Sequence, residues 1–168
     1  MTDLSIIIVC YKGWNRLTRC LEMLNSFQNK GFNSEVIVVD NRSDNGLIFK
    51  IEEQFPKFRF IHNEINGGFA NGCNLGSRYA VGDFFLFLNP DTVAIESEIE
   101  KLLNTAKQNP DYTILSCRQV NENGKESIAS GTFPHLFNLT GFQRALFKSR
   151  KPEAGSRKLV FLTGYPDQ

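Results

Sequence analysis

Hydrophobic positions through residue 117 of this chain switch between two patterns: short unbroken apolar runs, and stretches in which apolar residues recur every three or four positions. Leu4 to Val9 is an apolar run rich in β-branched residues, which suits a strand buried on both faces, as in a parallel sheet. Beyond Gly13 and Trp14, Asn15 stands where it can cap a helix whose Leu17, Cys20, Leu21, Leu24 and Phe27 share one face, with Gly31 as its stop. Glu35 to Val39 is a second buried strand, and Asp44 to Gln54 a shorter amphipathic segment stopped by Pro56. Phe58-Arg59-Phe60-Ile61 is a third strand, Asn66 to Gly76 a turn entering a helix, and Phe84-Phe85-Leu86-Phe87-Leu88 a fourth strand. Glu96 to Gln108 places Ile99, Leu102, Leu103 and Ala106 on one helical face before Pro110, and Tyr112 to Cys117 reads as another strand. Alternating strands and helices imply parallel pairing with right-handed crossovers, so the expected fold is α/β, a Rossmann-like, doubly wound, mostly parallel sheet.

The texture changes after Cys117. Asn121-Glu122-Asn123-Gly124 is a turn signal, and Ile128 to Phe133 has the composition of a short strand. Phe142 to Lys151 mixes apolar and basic residues, and Leu159-Val160-Phe161-Leu162 begins one more strand shortly before the chain stops at Gln168. The organisation expected is an α/β core over 1–117 and, over 118–168, the start of a further lobe, with the sheet incomplete at the C-terminus.

Composition narrows this picture only slightly. A chain of 168 residues with 41% hydrophobic and 22% charged residues has ordinary globular usage and length for one domain with a real core. Nineteen Lys and Arg against eighteen Asp and Glu leave it nearly neutral, so no overall field marks it for nucleic acid. Cys10, Cys20, Cys73 and Cys117 form no Cys-x-x-Cys pair and fall in apolar strands or on helices, as buried reduced thiols do. The first apolar run is too short for a signal or a membrane span and has no basic region before it, which points to the cytoplasm. The basic, aromatic segment 142–151 is a candidate for peripheral contact with a membrane surface at its inner face, or for a face completed by other sequence.

Candidate chemistry collects where strands end. In open α/β sheets ligands lie off the carboxyl ends of the strands, which is where Cys10 and Tyr11, Asp40 and Asn41, and Asp91 are delivered. Asp40 can accept a hydrogen bond from a nucleobase imide or a ribose hydroxyl, or form the turn that follows it. Asp91, in Asn89-Pro90-Asp91-Thr92, can hold a divalent cation bridging a diphosphate, since Mg²⁺ needs only one or two protein carboxylates; the other reading is a cap on the next helix. Gly68, Gly72 and Gly76 lie four apart and imply a close approach to the sheet, to a ligand or to both. Asn66, Asn71 and Asn74 offer amide donors and acceptors to a base or sugar. His62 and His135 have no second ligand at metal spacing and read as structural.

These residues carry a family likeness. The chain resembles the N-terminal part of inverting, family-two glycosyltransferases of the GT-A type, particularly rhamnosyltransferase-like bacterial members that build surface polysaccharides. The matching pieces are the opening strand ending near Tyr11, Val38-Val39-Asp40-Asn41-Arg42-Ser43-Asp44, the signature from Asn66 through Gly76, and Leu88-Asn89-Pro90-Asp91. The resemblance covers the chain from about Ser5 to Phe133 and implies a nucleotide site at Cys10, Tyr11, Asp40, Asn41, Asn66, Gly67, Asn74, Asn89 and Asp91. It assigns nucleobase reading to Asp40 and a divalent cation, Mg²⁺ or Mn²⁺, to Asp91, where Asn89-Pro90-Asp91 replaces the Asp-x-Asp motif of other relatives. Lys12 stands where many relatives have Asn. The general base that relatives carry further along has no counterpart after Leu162.

The implied function is transfer of a sugar, rhamnose by the likeness to rhamnosyltransferase-like members, from a dTDP- or UDP-linked donor to a polysaccharide or lipid-linked acceptor with inversion. The alternative is a sugar-nucleotide-binding module or a transferase fragment without turnover. A nicotinamide-dependent Rossmann enzyme lacks support because Cys10-Tyr11-Lys12-Gly13-Trp14-Asn15 contains no Gly-x-Gly-x-x-Gly, and no Gly-Lys-Ser or Gly-Lys-Thr marks a Walker site. An open sheet edge would invite pairing into a homodimer.

Overall fold

The computed structural model describes residues 1–28, 31–43 and 46–117, and the backbone of short strands at 119–120, 126–127 and 158–162. In chain order the elements are β1 (Leu4–Cys10), α1 (Trp14–Asn25), β2 (Ser34–Asp40), α2 (Leu47–Gln54), β3 (Arg59–His62), α3 (Phe69–Tyr79), β4 (Phe84–Leu88), α4 (Glu96–Gln108), β5 (Ile114–Ser116), β6 (Gln119–Val120), β7 (Glu126–Ser127) and β8 (Lys158–Leu162). Six strands form one sheet in the order β3-β2-β1-β4-β8-β5, and every pairing in it is parallel. The strand beginning at Leu159 in the sequence is therefore the neighbour of both β4 and β5. The chain divides into two units, 1–117 with 157–168 and 118–156, and in the second β6 pairs antiparallel with β7. The candidate strand 128–133 and the basic segment 142–151 lie outside the described residues.

The two faces of the sheet follow from strand periodicity. Ile6, Ile8, Cys10, Val36, Val38, Leu86 and Leu88 pack against α1, α2 and α4 through Leu17, Leu21, Leu24, Ile48, Ile51, Ile99 and Leu103. Ile7, Val9, Ile37, Val39, Phe85 and Phe87 form the opposite core with Cys73 of α3. β1 is buried along its whole length, which is why its sequence is apolar but for Ser5.

Two punctuation marks read from the sequence differ in the structure. α1 begins at Trp14 on Gly13, whose left-handed φ of 75° turns the chain, and the Gly13 carbonyl accepts from Arg16 and Leu17 N–H groups; Asn15 does not cap it. The helix ends at Asn25, well before Gly31, where Ser26 Oγ donates to the Met23 carbonyl. A short polar group at the last turn ended the helix before the glycine was reached.

The α3 glycines divide by task. Gly68, with φ 81°, is the turn into the helix, whereas Gly72 and Gly76 face the sheet. A Cβ on Gly72 would lie 2.5 Å from Val9 Cγ1, and one on Gly76 2.6 Å from Ile7 Cγ2 and 3.1 Å from Val39 Cγ2. Close packing of α3 on β1 and β2 is what these two positions require. At the far end of the sheet the fully buried Ser5 joins β1, β2 and the approach to β4: its Oγ donates to Glu35 Oε1 and accepts from Gly82 N–H at 2.8 Å.

Candidate functional site

β1, β2 and β3 end level. Cys10 pairs with Asp40 and Asp40 with His62, so the three side chains emerge in one row on the face that carries α1 and α2. Cys10 is buried, and burial, reinforced by the Asp40 charge, pushes its thiol up to about 12. It is thus no nucleophile at neutral pH; its carbonyl accepts from Asn41 N–H at 2.8 Å. Tyr11 follows, 49% exposed at the sheet edge, with the Lys12 ammonium 5.1 Å from its ring centroid. Lys12 takes a left-handed φ of 60°, a region uncommon for side chains other than Asn, Asp and His, and its N–H donates to Ser43 Oγ.

Asp40 is 4% exposed. Its Oδ1 accepts from Ser43 N–H at 3.1 Å, the turn-forming bond foreseen for it, while Oδ2 lies 3.7 Å from His62 Nδ1. His62 reaches away to Glu52 of α2, Nε2 to Oε2 3.0 Å, and its ring lies 5.0 Å from that of Phe49.

Asn41 is buried and its amide works inward: Nδ2 donates to Asn66 Oδ1 at 2.7 Å and to the Gly68 carbonyl at 3.2 Å, and Oδ1 accepts from Asn63 Nδ2 at 2.9 Å. Asn63 also donates to Asn71 Oδ1, and Asn66 Oδ1 accepts from Gly68 N–H. This amide network pins the turn before α3 to the end of β2. Gly67 lies exposed within the turn, where a Cβ would meet the Asn71 side chain at 2.5 Å, and Asn74 is exposed on α3.

Past β4, Asn89 and Asp91 are half-buried, and the Asn89 carbonyl accepts from Thr92 N–H. Asp91 does not cap α4, which starts from Ile95 with no side-chain cap. Its Oδ1 and the Thr92 Oγ1 are buried and have no hydrogen-bond partner among the described residues. An unpaired buried carboxylate oxygen is costly, and a cation is the partner its chemistry suits. Among the described residues no group of three or more His, Cys, Asp or Glu side chains is placed to hold a metal, so an ion there would need oxygens from phosphate and water as well. The Asp91 charge also reaches α1, where it adds to burial in pushing the Cys20 thiol up to about 12.

Sequence reasoning named Asp40, Asn41 and Asn66 as site residues, read His62 as structural, and gave no role to Ser43 or Asn63, which hydrogen-bond to Asp40 and Asn41. The missing signal was the β2 to β3 register, since only that pairing sets His62 beside Asp40. Among the described residues no helix is long and apolar enough to cross a membrane.

The glycosyl transferase family 2 model matches residues 5–163. An uncharacterised glycosyltransferase of Haemophilus influenzae is 35% identical over 123 residues, covering 71% of this chain and 41% of its own length. The minor teichoic acid biosynthesis protein GgaB of Bacillus subtilis is 32% identical over 106 residues, covering 61% of this chain and 12% of its own. Among solved structures, S. aureus TarS 1–349 in complex with UDP-GlcNAc superposes with a TM-score of 0.59 at 21% identity, covering 72% of this chain and 36% of that one, a likeness of fold. This chain therefore spans less than half the length of each of these relatives. With the level strand ends, the Asp40 and Asp91 positions and a match over most of its length, the chain belongs to glycosyl transferase family 2 and has the GT-A fold.

Proposed function

We propose that this chain forms the donor-binding part of a glycosyltransferase that moves a sugar from a dTDP- or UDP-linked diphosphate, with inversion, to a saccharide or lipid-linked acceptor. The observation that carries the reading is the partnerless buried oxygen of Asp91 just past β4, in the same sheet whose β2 ends in the buried Asp40. Asp40 accepts from the nucleobase imide, the exposed Tyr11 ring offers a face to the base, and the turn at Asn66 and Gly67, held by Asn41, borders the ribose and phosphates. Asp91, with Asn89 beside it, would hold a Mg²⁺ or Mn²⁺ ion. Such an ion neutralises charge that builds on the departing diphosphate. The UDP-GlcNAc held by the TarS neighbour supports a pyrimidine nucleotide here. Residues 118–156 begin the acceptor side in this reading, since β8 belongs to the donor sheet. Inversion also needs a base to take the acceptor proton, a role given to none of the residues at this edge. A sugar-nucleotide-binding module without turnover shares every donor contact and is separated by assaying slow donor hydrolysis.

The test is calorimetric titration of the chain with UDP, dTDP and GDP, with and without Mg²⁺ or Mn²⁺, beside Asp91→Ala. Metal-dependent binding of UDP or dTDP, lost in the variant, is expected. A folded chain that binds none of the three refutes the reading.

A further inference from the structure

The contacts of His62 point beyond a structural role. A carboxylate only accepts, so the 3.0 Å contact with Glu52 Oε2 draws the proton of a neutral imidazole onto Nε2. The lone pair at Nδ1 is then turned toward Asp40 Oδ2, 3.7 Å away. Two acceptors thus face each other 3.7 Å apart at the end of β2, and what satisfies both is a donor. The imide N–H of uracil or thymine is such a donor. Protonating the ring reverses the logic: Nδ1 becomes a donor, Asp40 Oδ2 becomes its acceptor, and the carboxylate is closed to the base. Asp40 from β2 and Glu52 from α2 are the charged groups at ion-pair distance from the ring among the described residues, and Phe49 of α2 covers it.

We propose that His62 is a positioning residue for Asp40 and a proton gate on nucleobase binding: the neutral ring leaves the Asp40 carboxylate open to the imide, and the protonated ring captures it. This rests on the donor-binding reading above. Where the ring is charged, binding then expels one proton from the site, so affinity falls as pH falls, by up to about tenfold per pH unit. Imidazole is the side chain that ordinarily changes charge between about pH 5 and 8.

The experiment is calorimetry on the whole chain with UDP-glucose and dTDP-glucose in Mg²⁺ between about pH 5 and 8, the range of imidazole. Their doubly esterified diphosphates do not titrate there. Wild type should bind more tightly as pH rises and release close to one proton, read from two buffers of different ionisation heat. His62→Gln should bind with a flat pH profile and no proton release. Glu52→Gln, on the exposed side of α2, removes the demand for a proton on Nε2 and should flatten the profile partway, which keeps the test valid if His62→Gln folds poorly. Only one other histidine, His135, is present, so a slope that persists in His62→Gln overturns the proposal. A flat wild-type profile overturns it as well while leaving donor binding intact. Absence of binding at every pH overturns the donor reading and this proposal with it.

Discussion

Replacing Gly76 with alanine sets two effects of known sign against each other. Alanine in a helix interior is favoured over glycine by about 1 kcal/mol. Against this, the new Cβ would lie 2.6 Å from Ile7 Cγ2 and 3.1 Å from Val39 Cγ2. Carbon atoms settle about 3.5 to 4.0 Å apart, so roughly 1 Å has to be found. Ile7 and Val39 are buried, β-branched and stiff about χ1, so α3 itself must lift from the sheet. Overpacking of this kind costs about 1 to 3 kcal/mol. The net expectation is a loss of about 1 kcal/mol, read as a lower urea midpoint at unchanged slope and a melting temperature down by about 3 °C. Gly72→Ala, which meets Val9, should behave alike, and the double variant should lose less than the sum, because one displacement of α3 relieves both contacts. If these glycines instead only cleared room for a ligand, each alanine would stabilise the free chain. A raised melting temperature in Gly76→Ala would refute the packing account.

Three further outcomes follow from particular contacts. Asp40→Asn keeps an oxygen for Ser43 N–H and should unfold within about 1 kcal/mol of wild type while losing a charged acceptor for the base, roughly tenfold or more in nucleotide affinity; Asp40→Ala should also lose about 1 to 3 kcal/mol of stability. Equal urea midpoints for the two variants would count against the turn bond. Ser5→Ala strands the buried Gly82 N–H and should cost about 1 to 3 kcal/mol, with faster amide exchange at Gly82 as its local signature. The Cys10 and Cys20 thiols, raised by burial from 9.0 to about 12, keep their protons in the fold at pH values where the unfolded chain releases them. The stability this confers is fully present below pH 9 and declines as pH rises from 9 toward 12, and the decline should be shallower in a Cys10→Ala, Cys20→Ala double variant.

What the sequence announced and what it withheld divide along one physical line. β1, β2 and β4 carry apolar runs because both their faces are covered, and such runs are legible in isolation, as are the periodic faces of α1 and α4. Asp40 and Asp91 could be named because they directly follow such runs, and the strand-end rule needs no knowledge of neighbours. The end of α1 was misplaced because Ser26 answers the last turn locally, before the more conspicuous Gly31. β3 is short and only partly buried, so no alternation along it shows which face its residues take. Its register comes from pairing with β2, and a slip of one residue would turn His62 to the α3 face and set Asn63 opposite Asp40. The same pairing places Asn63 N–H on the Asp40 carbonyl at 2.8 Å and its side chain on Asn41. One cross-strand register thus sets His62 beside the carboxylate and holds the glycine turn through Asn63. The surroundings of Asp40 are a property of the β2 to β3 ladder, and no inspection of either strand alone could have yielded them.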